Sequence, residues 1–239
     1  MDAVFGDGDV VALTPPAWRY TLTEVPRGAA GVLRLAREWR SMAEGARGRG
    51  EPVMVLPGLF NSDRSNVALR RHLMRMGYRV EGWGLGRNLG QRASGGNGER
   101  LFARIETMAQ RHGAPVALVG ISLGGLMARI AAQRMPERVS RVVTISSPFS
   151  GPPDATRVWR AYQAVSGARI DDPAVRAWIE EAARPPPVPT TAIWSARDGL
   201  VGGPICRGED CHAVEVRSSH IWVQFDPDVL RAVIKALAT

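Results

Sequence analysis

The pentapeptide Gly120-Ile121-Ser122-Leu123-Gly124 sets a serine between two glycines, directly after the apolar run Val116–Val119 and directly before the helical stretch Leu126–Ala132. Alone, Gly-x-Ser-x-Gly is a weak signal, because both residue types are common. Between a buried strand and an apolar helix it describes a strained turn that lifts a hydroxyl clear of the sheet at a helix N-terminus. A Cβ at Gly120 or Gly124 would collide with the neighbouring strand or helix. A serine hydroxyl is a poor nucleophile until an imidazole accepts its proton. The imidazole holds the right tautomer when a buried carboxylate engages its other nitrogen. Asp198, in Ala196-Arg197-Asp198-Gly199-Leu200-Val201, and His220, in Ser218-Ser219-His220-Ile221-Trp222, supply those groups. His72 and His112 precede the serine on helices, and His212 comes before the last strand. Asp171, Asp172 and Asp226 are better read as surface and helix-cap residues. A tetrahedral oxyanion also needs two N–H donors. The Leu123 amide is one, and Leu59 in Pro57-Gly58-Leu59-Phe60 is the other, with Phe60 as its neighbouring candidate.

These groups need elements to hold them. Residues 1–27, with Pro15, Pro16 and Pro26, read as an irregular arm, and about Gly28–Glu44 as an amphipathic helix packed on a sheet. Pro52–Pro57 is the first convincing strand, followed by the helix Asn66–Gly77 and the strand Tyr78–Trp83. The glycine-rich loop Gly84–Gly98 fails as a dinucleotide fingerprint, because Leu89 stands where a third glycine is required. The helix Glu99–His112 leads to the serine strand. Further strands are expected at Val139–Ser146, Thr190–Ser195 and Ala213–Val216, and Asp226 caps a closing helix with Pro227 at its first position. Prolines bracket short amphipathic pieces in residues 147–189, which read as a cap over the sheet. Strands alternating with helices imply a parallel sheet covered on both faces. On its C-terminal rim Ser122, Asp198 and His220 follow three strand ends in order.

The 239 residues, 45% of them hydrophobic, suffice for a single domain with one sizeable core. The net charge of +8 is almost all arginine, Lys235 being the only lysine, and it is spread over many helices without a recognition motif. Nucleic-acid binding is therefore not expected. Met1–Asp7 lacks the basic start and apolar core of a signal peptide, and no apolar run is long enough to cross a bilayer. We expect a soluble, cytoplasmic protein, or an exported one if a leader preceded it. Cys206 and Cys211 with His212 offer too few ligands for zinc. A local disulfide is the expectation for the two cysteines, two free thiols being the alternative.

From about Pro52 to the C-terminus the chain resembles the α/β-hydrolase superfamily, and within it small bacterial lipases and esterases. The motifs that carry the resemblance are Pro57-Gly58-Leu59-Phe60, Gly120-Ile121-Ser122-Leu123-Gly124, Asp198-Gly199-Leu200-Val201 and Ser219-His220. Many lipases have His-Gly in place of Pro57-Gly58, and many hydrolases have His or Tyr in place of Ile121. The resemblance implies a minimal, mostly parallel sheet of about six strands with a small cap insertion. It also implies a serine hydrolase that needs no cofactor or metal. Its substrates would be small-molecule or lipid esters, with transient contact at a lipid interface. Phe60, Phe149, Trp159, Trp178, Ile221 and Trp222 are the candidate acyl-pocket residues. An acyltransferase with the same three groups, or a non-catalytic interaction protein on the same fold, are the alternatives.

Overall fold

Six strands, all parallel, form one sheet in the computed structural model, which describes residues 15–43, 47–152, 155–166, 172–209 and 211–239. They are β1 (Pro52–Leu56), β2 (Arg79–Gly82), β3 (Val116–Ile121), β4 (Val139–Ile145), β5 (Thr190–Trp194) and β6 (His212–Glu215), in spatial order β2-β1-β3-β4-β5-β6. The chain moves outward from β1 to β2, returns to β3 and then runs on to β6. The direction of winding thus reverses between β1 and β3, the crevice where ligands settle in such sheets.

The central strands are apolar on both faces, and their alternation sorts the core. Val53, Val55, Ala117, Val119, Val143 and Ile145 meet Leu69 and Leu73 of α3 (Val67–Arg75) and Val229, Leu230 and Val233 of α9 (Pro227–Ala238). Met54, Leu56, Val116, Leu118 and Val142 meet Leu101 and Ile105 of α5 (Glu99–His112) and Met127 and Ile130 of α6 (Leu123–Arg134). Period-2 side chains on a pleated strand produce this division directly. Between β4 and β5 lie α7 (Trp159–Ser166) and α8 (Pro173–Ala183). Asp172 caps α8, accepting from the Ala174 N–H at 2.9 Å. Among the described residues no helix is long and apolar enough to cross a membrane.

The N-terminal expectation needs correction. The described part of the arm is helical: α1 (Trp18–Leu22) and α2 (Glu24–Glu38), with residues 1–14 outside the description. Pro26 does not prevent this, because the first-turn N–H it lacks has no intrahelical acceptor. A short α4 (Gln91–Ser94) also interrupts the glycine-rich loop. The expected disulfide is not formed. Cys206 packs with Ala155, Trp194, Val201 and Ile205, whereas Cys211 packs against the α5–α6 side of the core, so the two thiols face different neighbours. Burial, reinforced by the nearby Asp198 charge, pushes the Cys206 thiol well above its ordinary value.

His72, on α3, is almost fully buried beside Trp39, and its Nδ1 has no partner among the described residues. Burial, then the Arg75 and Arg231 charges, lowers its pKa to about 4. An unfolded histidine binds its proton near pH 6.5, so acid between about pH 6.5 and 4 favours the unfolded chain. Stability to urea is expected to fall across that window by an amount of order 3 kcal/mol from this residue. His72→Leu should flatten that slope, and an unchanged slope in the variant would refute the assignment.

Candidate active site

Ser122 is the N-cap of α6, with φ 51° and ψ −118°, a conformation that non-glycine residues rarely adopt. Its N–H still extends the sheet, donating to Ile145 O at 2.8 Å, before the chain turns into the helix. Space is what forces the turn. A Cβ on Gly120 would lie 2.4 Å from Gly124 O, and one on Gly124 would lie 2.6 Å from Leu56 O. Helix and strands touch through backbone alone.

Phe60, Ser146 and Trp222 also have positive φ, and with Ser122 they are the non-glycine cases among the described residues. Each follows a different strand, β1, β3, β4 or β6, on the C-terminal rim. Backbone strain is therefore concentrated where the strands end.

After β5, Asp198 is buried, and its Oδ1 accepts the N–H groups of Leu200 (2.9 Å) and Val201 (2.8 Å). That fixes the carboxylate so that Oδ2 lies 2.7 Å from His220 Nδ1. Nδ1 then carries the hydrogen, leaving Nε2 as a proton acceptor. Burial lowers the His220 pKa, but the Asp198 charge, their hydrogen bond and the Glu24 charge outweigh it, so the net direction is upward. Among the described residues neither Ser122 Oγ nor His220 Nε2 makes a hydrogen bond, to each other or elsewhere.

The turn after β1 is pinned by Asn88 of the glycine-rich loop. Asn88 is fully buried, its side-chain amide donates to Pro57 O at 2.7 Å, and its main-chain carbonyl accepts the Phe60 N–H at 2.9 Å. Phe60 is thereby engaged, while the Leu59 and Leu123 N–H groups meet no acceptor among the described residues. Both leucines line one cavity with Ser122. Its walls are mostly apolar, with Leu126, Pro148 and, from α7 and α8, Trp159, Tyr162, Val175, Trp178 and Ile179, while Gln91 and Thr156 add polar groups. Among the described residues no group of three or more His, Cys, Asp or Glu side chains could hold a metal ion.

A family model described as the alpha/beta hydrolase fold matches residues 101–178, from α5 through the serine turn into α8. A mature lipase from Bacillus licheniformis superposes with a TM-score of 0.60 at 15% identity, over 82% of this chain and 95% of that one. A monoacylglycerol lipase from Paleococcus ferrophilus gives 0.56 at 18% identity, over 79% and 96%. An enzyme from a lagoon-sediment metagenome of Mar Chica, Morocco, gives 0.54 at 22% identity, over 80% and 91%. No curated protein matches by sequence. The chain has the α/β-hydrolase fold.

Within that fold, only two of the six expected pocket aromatics and aliphatics, Trp159 and Trp178, line the cavity at Ser122. Phe149 is core, its ring 3.8 Å from the buried Arg129 guanidinium. Phe60 and Trp222 are 42% and 43% exposed, and the Trp222 ring and the Ile221 carbonyl lie beside Gly28 of α2. Tyr162 and Gln91 are lining residues that the sequence did not single out.

Glu24 was also missed. This α2 carboxylate is 1% exposed, and it accepts the N–H groups of Gly199 (2.7 Å), His220 (2.7 Å) and Ile221 (2.8 Å) as well as the Arg27 guanidinium (2.8 Å). In sequence it falls within residues 1–27, the stretch read as an irregular arm, where nothing marks it out.

Gly124→Ala is expected to lose about 1–3 kcal/mol of stability, measured by urea unfolding, because its methyl must displace the β1 backbone. A fully stable Gly124→Ala protein would mean that α6 does not need this contact.

Proposed function

We propose that the protein is a serine hydrolase of carboxylic esters, working without a cofactor. The observation that carries the reading is the buried Asp198–His220 pair on the same rim as a strained, helix-capping serine. In the proposed cycle Ser122 Oγ attacks the ester carbonyl and its proton passes to His220 Nε2. Asp198 stabilises the imidazolium and keeps Nδ1 protonated. The Leu59 and Leu123 amides receive the oxyanion. Collapse expels the alcohol, which takes the proton from Nε2. Water then attacks the acyl-enzyme, giving its proton to Nε2, and the acid leaves with Ser122 restored.

In the proposed cycle the hydrogen bond between Ser122 and His220 closes as substrate binds, since catalytic hydrogen bonds often tighten only in the complex. We read the chain as one domain with residues 147–189 as a cap, part of which lies outside the described residues. The apolar walls from α7 and α8 suit an acyl chain, which supports an ester over a charged or peptide substrate.

A fluorophosphonate probe should label the wild type and not Ser122→Ala. His220→Ala should lower kcat by about 10⁴-fold, while His212→Ala should leave it unchanged. Absence of labelling on a folded wild type would overturn the proposal, and ester transfer to added alcohols in preference to water would make it an acyltransferase.

Across a series of nitrophenyl esters, kcat/KM should rise about fourfold per methylene until the cavity is filled, as expected for about 0.8 kcal/mol per buried CH₂. A flat series would show that the cavity under α7 and α8 does not take the acyl chain.

A further inference from the structure

Glu24 lies on a helix that precedes the sheet, yet its two oxygens bridge the acid and base turns. Oε1 accepts Gly199 N–H, the residue next to Asp198, and Oε2 accepts the N–H groups of His220 itself and Ile221. We propose that Glu24 is a positioning residue for His220, a buried carboxylate clamp that sets the distance between the β5 and β6 turns and so aims the imidazole. This rests on the serine-hydrolase reading above.

Three features make the clamp specific. First, a carboxylate this deeply buried is retained only when its acceptors are filled, and here three backbone donors and Arg27 fill them. Arg27 also donates to Ser218 O at 3.3 Å, tying the same helix to the residue two before His220. Second, the surroundings are shaped to let α1 and α2 reach both turns. A Cβ on Gly28 would stand 2.6 Å from Ile221 O, and one on Gly199 would stand 2.5 Å from Thr21 N. Thr21 adds a 2.7 Å hydrogen bond from its hydroxyl to Gly199 O. Third, the contacts are made to main chain on both turns, so Glu24 holds them in register without competing for the imidazole. Among the described residues the charges that act on His220 are Asp198 from the β5 turn and Glu24 from α2, with Arg27 paired to Glu24. Both carboxylates favour the imidazolium.

Glu24→Gln tests the clamp, because its amide nitrogen must face donors where one carboxylate oxygen accepted. With the wild-type fold confirmed by circular dichroism, kcat should fall about 10- to 100-fold at unchanged KM, as for a small misplacement of a catalytic group. The acid limb of kcat/KM should move to lower pH, since a charge that favours protonated His220 is gone. In a His220→Ala background Glu24→Gln should cost nothing further in the residual rate, because the residue acts through the imidazole. A merely structural role would lower stability alike in both backgrounds and leave the acid limb in place. Wild-type kcat and acid limb in folded Glu24→Gln would overturn the clamp. Should that variant unfold, Glu24→Asp, which keeps the charge but retracts it, is measured in the same way, and wild-type kcat there overturns it equally. If the wild type resists the fluorophosphonate, the hydrolase reading and the clamp fall together. If the wild type is labelled, His220→Ala is not, and Glu24→Gln is labelled at the wild-type rate, the clamp alone falls.

Discussion

Backbone-to-backbone approach at Gly120 and Gly124 governs the geometry of this protein. The start of α6 lies so close to β3 and to the end of β1 that a methyl at either position would overlap main-chain atoms at about 2.4–2.6 Å. The helix axis can therefore begin directly beneath the sheet rim, and Ser122 must take a left-handed conformation to connect strand and helix. Its strain is carried by the packing of α6, which is buried from Leu123 to Ala132 between the sheet and α8.

The rim extends that constraint to the other strands. Because all six strands run the same way, their ends deliver the turn after β1, the serine, Asp198 and His220 to one side. Parallel order alone would leave these turns independent of one another. Cross-connections from remote segments make them a unit: Asn88 pins the β1 turn, and Glu24 with Thr21 and Arg27 spans the β5 and β6 turns. Side-chain acceptors that satisfy several main-chain donors are well suited to this work, since a buried N–H left unpaired would cost about 1–3 kcal/mol.

The cavity is the product of a different segment. Helices α7 and α8, between β4 and β5, add Trp159, Tyr162, Val175 and Trp178 over the serine. Sheet and rim thus supply the reacting groups, and the inserted helices supply the surface that a substrate would meet. The two parts join where the Arg129 guanidinium, beneath α8, donates to the Ala182, Ala183 and Arg184 carbonyls at its end.

Much of this was legible along the chain. Short apolar runs marked the strands to within a residue or two, the flanking glycines marked the serine turn, and the helix Glu99–His112 coincides with α5. Such features depend on neighbours in sequence, where pleat, helical period and steric volume act locally. The exposure of Phe60 and Trp222 was not legible, nor the failure of Cys206 and Cys211 to meet, because each depends on where a loop is pulled by distant contacts. The helical arm was hidden by prolines that a first turn tolerates. Glu24 was hidden most deeply: its partners Gly199, His220 and Ile221 lie some 175 to 197 positions away. The sequence by itself determined which strands form and which groups end them. Only the tertiary structure decided which main-chain donors would face one buried carboxylate, because that depends on the relative placement of three segments whose residues share no local pattern.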